Sequence, residues 1–187
     1  MSFTEAQLDA ALQLARQGLL AEFGRVAVPE VPAELSQPGA SFVTLLKAGQ
    51  LRGCIGSLEA YQPLGQDILA NVRRAAFEDP RFAPVSEREL AQLELEVSLL
   101  TKPQPLAAVV EEAELLRRLR PGQDGLILQY GAQRATFLPS VWQQLEQPRE
   151  FVAALKVKAG LARDFWSPRM RWWCYRSASV RGCLLQS

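Results

Sequence analysis

Apolar side chains near the N-terminus recur at the spacing of an amphipathic helix, at Leu8, Leu12, Ala15 and Leu19. Thr4 and Gln7 have the arrangement of a capping box, in which each side chain bonds the other residue's backbone N–H. Gly24 follows the run, and glycine favours the end of a helix. The pattern therefore predicts one helix between Thr4 and Gly24.

The middle of the chain carries the alternating pattern of half-buried strands. Residues 42–47 predict a strand, residues 48–50 a turn, and residues 51–58 the partner strand of a hairpin. A further strand is predicted around Glu94 and Glu96, because polar residues alternate there with the apolar residues Leu93, Leu95, Val97 and Leu99. Such strands turn one face to the core and pair antiparallel.

Helices and short strands alternate over the rest of the chain. Helices are predicted from Pro63 to the residues before Asp79-Pro80, in a short segment capped by Ser86 and Glu89, and at residues 111–120 and 148–159. Further strands are predicted at residues 126–130, 134–138 and 171–177. Hairpins outnumber strand–helix–strand crossovers, so the sequence predicts an α+β fold with antiparallel sheets.

The composition of the 187 residues excludes several kinds of active site. The chain has no histidine, so neither a Ser-His-Asp nor a Cys-His nucleophile can be built and imidazole metal ligands are absent. The three cysteines, Cys54, Cys174 and Cys183, form no C-x-x-C pair. We therefore expect free thiols in a reducing compartment, the cytoplasm, and neither a metal nor a cofactor.

Hydropathy and charge bear on membranes and nucleic acids as partners. No apolar run approaches the ~20 residues of a membrane span, and no signal peptide is visible. Residues 156–187 hold seven basic side chains against one acid, Asp164, together with five aromatic residues. Such a segment is compatible with binding to single-stranded nucleic acid. The favoured interpretation is that the aromatic residues complete the core and the arginines lie at the surface.

Residues 51–56, with the sequence Leu-Arg-Gly-Cys-Ile-Gly, are the most informative segment, and we call them the signature strand. On a strand, Arg52 and Cys54 share a face roughly 6.5 Å apart, where the guanidinium favours the thiolate. Gly53 and Gly56 remove side chains beside the sulfur, which lets a ligand or another backbone approach. The alternative is structural, since buried cysteines act as small hydrophobic residues and strand glycines often mark bulges.

The signature strand is identical to the hexapeptide that marks AMMECR-type domains, and the chain resembles that family well beyond it. The further matches are Pro63-Leu64, Asp79-Pro80-Arg81-Phe82, Pro84-Val85, Glu89-Leu90, Glu96-Val97-Ser98-Leu99-Leu100, Asp124-Gly125-Leu126, Leu138-Pro139, Lys158-Ala159-Gly160-Leu161 and Tyr175-Arg176. They follow the family's order over almost the whole chain. The chain is therefore similar to protein A of the AmmeMemoRadiSam system. Within these matches, we expect a structural salt bridge between Asp79 and Arg81 across Pro80.

The resemblance implies a single AMMECR-type domain over residues 1–187, built of two lobes. Each lobe has an antiparallel sheet with flanking helices, and a cleft separates the lobes, with the signature strand at that cleft. We expect the large lobe to comprise residues 1–102 and 168–187 and the small inserted lobe to comprise residues 103–167. Pro103, Pro105 and Pro168 would mark the two crossings.

The resemblance supplies no reaction, and three hypotheses follow. The first is a cleft-binding accessory protein that holds a partner protein or a sizeable substrate, associated with a Memo-like protein and a radical S-adenosylmethionine enzyme. In it, Arg52 meets an anionic group, and any iron or S-adenosylmethionine belongs to a partner. The expected binding residues are Leu51, Arg52, Gly53, Cys54, Ile55, Gly56, Glu96 and Lys158.

The second hypothesis is an enzyme in which Cys54 is a nucleophile or redox thiol and Glu96 or Lys158 is the base. Both candidate bases also have structural explanations, Glu96 as a solvated strand residue and Lys158 as a cation at a helix C-terminus. The third hypothesis is nucleic-acid binding by the basic C-terminal segment.

Overall fold

The computed structural model describes residues 3–185 of the chain. The backbone divides into two compact units. The large unit comprises Met1–Lys102 and Ala178–Ser187, and the small unit comprises Pro103–Ser177. No helix within residues 3–185 is long and apolar enough to cross a membrane.

The described residues form four α-helices and nine β-strands. The helices are α1 (Glu5–Glu22), α2 (Leu64–Phe77), α3 (Glu112–Arg118) and α4 (Pro148–Lys158). The strands are β1 (Pro38–Lys47), β2 (Gln50–Gly56), β3 (Gln62–Pro63), β4 (Leu93–Leu100), β5 (Gln104–Pro105), β6 (Gly125–Tyr130), β7 (Gln133–Phe137), β8 (Arg171–Tyr175) and β9 (Ser177–Cys183). Short 3-10 helices span Ala33–Leu35, Glu87–Gln92 and Pro139–Gln143. The predicted α+β class, with antiparallel pairing in both units, is confirmed.

Strands of the large unit pair in the order β2-β1-β4-β9, and the short β3 pairs with the start of β1. Strand β1 is antiparallel to both β2 and β4. Thr44 in the middle of β1 therefore lies opposite Cys54 on one side and Glu96 on the other. The predicted hairpin of β1 and β2 is confirmed, and its register shifts between Leu45 and Leu46.

One face of this sheet forms the core of the large unit. Val43 and Leu45 of β1 and Leu95 of β4 are fully buried, in one cluster with Leu19 of α1 and Ile68 of α2. Burial of each such side chain contributes roughly 1.5–3 kcal/mol to folding. Helices α1 and α2 therefore cover one face of the sheet, as the alternating and helical patterns predicted.

Helix starts in the large unit follow the predicted capping. Thr4 and Gln7 form the capping box of α1. Ser86 and Glu89 form a second capping box at the start of the following 3-10 helix. Pro63 immediately precedes α2, where its fixed φ angle is compatible with the first turn. These local predictions are confirmed.

Strands of the small unit pair in the order β5-β8-β6-β7. Helices α3 and α4 contribute to a core in which the ring of Trp142 stacks on Phe151, with 3.8 Å between ring centroids. Trp172 is buried in this core, and Phe165 and Trp166 pack against it. These three aromatic residues of the C-terminal segment therefore complete a core, as the favoured interpretation stated.

Several basic residues of the C-terminal segment are paired with acids. The ion pairs join Lys156 to Glu112, Arg163 to Glu150, Arg176 to Asp124 and Arg181 to Glu94. Four of the seven basic side chains in residues 156–187 are thus compensated. Pairing of this kind weakens the attraction to phosphate on which nucleic-acid binding depends.

The C-terminal strands are divided between the two units at a different residue from the one expected. Strand β8 pairs with β6, so its residues fall in the small unit rather than in the expected large lobe of residues 1–102 and 168–187. The chain then returns to the large sheet as β9. Sequence analysis missed β9 because Ser-Ala-Ser-Val-Arg-Gly-Cys lacks an alternation of large apolar residues. The cleft that the resemblance implies stays a prediction.

Candidate functional site

Three polar side chains lie side by side on the sheet face opposite to the one that packs on α1 and α2. Thr44 is in register with Cys54 and with Glu96, and all three are half-buried. Thr44 Oγ1 lies 3.2 Å from Cys54 Sγ and donates a hydrogen bond to it. We call this face, defined by Thr44, Cys54 and Glu96, the thiol face. It brings together two residues that the sequence predicted and adds Thr44, which sequence analysis missed.

Both glycines of the signature strand are packing positions. A Cβ built on Gly53 would lie 2.2 Å from the carbonyl oxygen of Ala75 in α2. A Cβ built on Gly56 would lie 2.2 Å from the ring of Phe42, its register partner on β1. The expected close approach is therefore made by the protein itself, by backbone at one glycine and an aromatic ring at the other. The role of these glycines in binding a ligand stays a prediction.

Arg52 is held by the protein's own acceptors. Its Nε and Nη2 donate to the carboxylate of Glu89 at 2.9 and 3.2 Å. Its Nη1 and Nη2 donate to the carbonyl oxygens of Ala83 and Pro84 at 2.9 and 3.4 Å. Only 15% of the side chain is exposed. These contacts fasten β2 to the segment that precedes the 3-10 helix at Glu87–Gln92 and explain Arg52 structurally, and its contact with an anionic ligand stays a prediction.

Glu89 is the acceptor that organises this region. Besides Arg52, Lys47 Nζ donates to Oε1 at 3.1 Å and the backbone N–H of Ser86 donates to Oε2 at 2.9 Å. The hydrogen bonds from Arg52, followed by that from Ser86, hold the pKa of Glu89 well below its usual value, although burial acts in the opposite direction. At neutral pH the ionised carboxylate therefore ties β1 and β2 to the start of the 3-10 helix.

Asp79 and Arg81 cap the backbone of the signature strand at Cys54. The N–H of Cys54 donates to Asp79 Oδ2 at 2.9 Å, and Arg81 Nη2 donates to the carbonyl oxygen of Cys54 at 3.4 Å. The predicted salt bridge is present, with Arg81 Nη2 2.7 Å from Asp79 Oδ2. Hydrogen bonds from Arg81 first, and from Cys54 after them, lower the pKa of Asp79 far below its usual range against the effect of burial. Because β2 is an edge strand, this pair also satisfies groups that could otherwise pair with another chain.

A buried polar cluster fastens the end of the signature strand to α2. Asp67 Oδ2 accepts hydrogen bonds from the backbone N–H and the hydroxyl of Ser41, at 2.8 and 2.7 Å. Asp67 Oδ1 accepts one from the hydroxyl of Ser57 at 2.7 Å, and Asn71 Nδ2 donates to Oδ2 at 2.9 Å. These bonds offset the cost of burying a carboxylate. Sequence analysis missed this cluster, although two polar residues four apart on the apolar face of α2 were a usable signal.

Lys158 lies in the small unit, at the end of α4. Its Nζ donates to the carbonyl oxygen of Thr136 at 2.9 Å and lies 5.1 Å from the centroid of the Phe137 ring. Burial lowers the pKa of this amine. The contacts explain Lys158 structurally, and its role in binding or as a base stays a prediction.

The remaining residues of the signature strand have contrasting surroundings. Leu51 is exposed, whereas Ile55 packs partly buried against the core of the large unit. Ile55 therefore contributes to folding rather than to the thiol face. Within residues 3–185, no three His, Cys, Asp or Glu side chains converge as ligands for a metal ion.

The three free cysteines differ in environment, which predicts selective alkylation. Burial, followed by the neighbouring Asp124, raises the pKa of Cys174 to about 12, whereas Cys183 is exposed. We expect iodoacetamide at about pH 8 to modify Cys54 and Cys183 in the folded protein and to spare Cys174, of which roughly one in ten thousand is ionised at that pH. Peptide mass spectrometry after a timed quench measures each site. Modification of Cys54 only after unfolding would instead identify it as a core residue.

Fold and site together define a class of protein: two antiparallel sheets with helices, and a Leu-Arg-Gly-Cys-Ile-Gly strand at the edge of the larger sheet. The sequence matches the AMMECR1 family over residues 12–180. The chain belongs to the AMMECR1 family.

Relatives in archaea agree with this assignment. A protein of Thermofilum pendens is 39% identical over 162 residues, which cover 78% of this chain and 74% of the relative. A protein of Methanothermobacter thermautotrophicus is 40% identical over 144 residues, which cover 76% of this chain and 74% of the relative. The crystal structure of an uncharacterised protein from Pyrococcus horikoshii is similar with a TM-score of 0.84 at 29% identity, covering 97% of this chain and 94% of that chain. These comparisons establish the family and the fold, and none of them identifies a reaction.

Proposed function

We propose that this protein is an accessory protein whose thiol face holds a partner protein or a sizeable substrate. The observation that carries the proposal is that hydrogen bonds hold the signature strand, which supplies Cys54 to the thiol face, in a fixed position. Both backbone groups of Cys54 are bonded, to Asp79 and Arg81, and the neighbouring Arg52 is bonded to Glu89. A surface held in this way loses little conformational entropy when it binds, which favours recognition.

The chemistry of the thiol face favours a partner with polar and basic groups. Thr44 and Cys54 offer a hydroxyl and a thiol, and Glu96 supplies a half-buried carboxylate on the adjacent strand. A carboxylate in such a position attracts a basic group of a partner and repels an acidic one. Residues on paired strands also keep their spacing, so the three groups form a fixed pattern.

The partners we propose are a Memo-like protein and a radical S-adenosylmethionine enzyme, in the cytoplasm. The support is the resemblance to AMMECR-type domains, which occur with these two proteins. In this arrangement, iron or S-adenosylmethionine is bound by the partner.

Charge reversal on the thiol face tests the proposal. We expect Glu96→Arg to weaken binding of the purified Memo-like or radical S-adenosylmethionine protein by roughly tenfold or more, because like charges placed opposite each other in an interface are strongly unfavourable. Isothermal titration calorimetry measures the dissociation constants. Glu34→Arg, at an exposed position of the 3-10 helix Ala33–Leu35, is the matched control and should bind as the wild type does. Equal affinity of the two variants would contradict the role of the thiol face, and no binding of the wild type to either protein would contradict the proposed partners.

A second candidate function, a thiol enzyme, is favoured by one contact. The hydroxyl of Thr44 donates to Cys54 Sγ, so the sulfur is held in a fixed position beside a side chain of the neighbouring strand. Glu96 is the register partner of Thr44 on β4, and we propose its carboxylate as the base of this candidate enzyme. Failure of Cys54 to react with iodoacetamide in the folded protein would remove this candidate.

A further inference from the structure

Arg81 is an exposed cation that the signature strand itself holds in position. Its Nη2 donates to the carbonyl oxygen of Cys54, and 55% of its side chain is exposed. Arg52, the cation that the sequence favoured for an anionic ligand, is 15% exposed and donates from all three guanidinium nitrogens to protein acceptors. The cation available to a ligand beside Cys54 is therefore Arg81.

Several contacts fix the orientation of the Arg81 guanidinium. Nε and Nη2 donate to the two carboxylate oxygens of Asp79, at 3.0 and 2.7 Å, and the Asp79 side chain is only 2% exposed. The guanidinium carbon lies 5.5 Å from the centroid of the Phe82 ring. The hydrogen bonds to Asp79 raise the pKa of Arg81, and electrostatic attraction to Asp79 and to Cys54 adds to this effect, while burial opposes it. A guanidinium bound along one edge keeps donors on its other edge for a second oxyanion.

The ion pairs that hold the signature strand contain one more cation than carboxylates. Lys47 and Arg52 share the carboxylate of Glu89, and Arg81 pairs with Asp79, so three cations meet two carboxylates. Within the part of the chain that the structure describes, the hydrogen bonds of the Arg81 side chain come from Nε and Nη2, and none comes from Nη1. An anion is therefore attracted to this edge of the sheet and finds a donor there.

We propose that Arg81 binds an oxyanion of the ligand, a carboxylate or a phosphate ester, and that the adjoining part of the ligand lies over the Cys54 thiol. The inference rests on the proposed function and names the chemistry of what the thiol face receives. Glu96 lies two strands from Cys54, which is roughly 10 Å at the spacing of strands in a sheet. An oxyanion at Arg81 thus stays clear of the Glu96 carboxylate, and the ligand extends across β1.

Alkylation of Cys54 with a charged and a neutral reagent tests the inference in the 187-residue chain. Iodoacetate carries a carboxylate, and iodoacetamide does not. With either reagent, the Cys54 sulfur forms a bond to carbon, iodide leaves, and the thiol proton passes to solvent. A fixed cation beside the thiol favours iodoacetate, so we expect Arg81→Gln to lower the ratio of the iodoacetate rate constant to the iodoacetamide rate constant roughly three- to tenfold. Peptide mass spectrometry reads the modification of each cysteine.

Matched variants separate charge from structure. Arg81→Lys keeps the charge and should retain most of the wild-type ratio. Arg74→Gln removes a cation of similar exposure, 50%, from α2 and should leave the ratio unchanged. The ratio at exposed Cys183 is an internal reference, and melting temperatures show that each variant is folded. An unchanged ratio in folded Arg81→Gln overturns the inference.

Inorganic phosphate and succinate, compared with chloride at equal ionic strength, distinguish the two kinds of oxyanion. Labelling of Cys54 that slows in phosphate alone, and only when Arg81 is present, assigns a phosphate ester. Labelling that slows in succinate alone assigns a carboxylate. Labelling that slows in both salts supports an oxyanion site that takes either group. Labelling that slows in neither salt overturns the inference. A folded protein whose Cys54 resists even iodoacetamide overturns both the inference and the proposed function. An Arg81-dependent ratio without binding of either partner protein overturns the proposed partners alone.

Discussion

Gly53→Ala is expected to lower the free energy of unfolding by about 3 kcal/mol. The added Cβ would lie 2.2 Å from the carbonyl oxygen of Ala75, a backbone atom of α2 that cannot rotate away. Relief requires β2 and α2 to move apart, which loosens the packing around the buried Leu45 side chain. For a chain of this size the loss corresponds to a fall in melting temperature of roughly 6–12 °C. Thermal unfolding followed by circular dichroism measures it.

Gly49→Ala is the matched control for this substitution. Gly49 lies in the turn of the same hairpin with a φ of 74°, and nothing lies within 4 Å of a Cβ built there. Its replacement therefore costs only the strain of a left-handed backbone, about 1–2 kcal/mol. Equal losses in the two variants would assign the effect to glycine itself, and a wild-type melting temperature for Gly53→Ala would contradict the packing of β2 on α2.

The sequence predicted those helices and strands that pack one apolar face against a core. The alternation of residues 93–99 and the helical spacing from Leu8 to Leu19 each describe a single surface in contact with a core, and both appear in the structure as β4 and α1. Strand β9 lies at the edge of the large sheet, and several of its side chains are exposed. An edge strand with small and polar residues has no such pattern, so its place depends on pairing that periodicity does not encode.

For the thiol face, the sequence predicted residues but not their arrangement. Sequence analysis selected Cys54 and Glu96, but their alignment through Thr44 depends on the strand order β2-β1-β4. Counting back from the turn, where Lys47 pairs with Gln50, would place Thr44 opposite Gly53. The register shift between Leu45 and Leu46, where Arg52 of β2 is passed over in the pairing, moves the register by one residue and so brings the Thr44 hydroxyl to the thiol. A one-residue irregularity of this kind has no reliable signal in a single sequence.

Separation along the chain explains which ion pairs were predictable. The pair of Asp79 and Arg81 is two residues apart across a proline, and local geometry sufficed to predict it. Arg52 and Glu89 are 37 residues apart, and the two residues meet only after β2 and the following helices are in place. The sequence therefore suggested an anionic partner for Arg52, but it gave no signal that Glu89 of the same chain bonds to it.

Glu89→Gln is expected to lower the free energy of unfolding by about 3 kcal/mol at neutral pH. A neutral amide leaves the largely buried guanidinium of Arg52 without a counter-ion and removes the acceptor that Lys47 also uses. Glu87→Gln is the matched control, because Glu87 lies on the same 3-10 helix and pairs with Arg25 while both side chains are more than half exposed. An exposed pair of this kind contributes at most about 0.5 kcal/mol.

The loss caused by Glu89→Gln should depend on pH in one direction. Hydrogen bonds, those from Arg52 foremost, depress the pKa of Glu89 in the folded protein, so the carboxylate stabilises the fold fully above its unfolded pKa of about 4.3. That stabilisation is lost as the pH falls through the depressed pKa of the folded state. Urea unfolding at a series of pH values should therefore show the difference between wild type and Glu89→Gln shrinking below about pH 4. A difference that stays constant down to low pH would mean that ionisation of Glu89 is not what holds the signature strand in place.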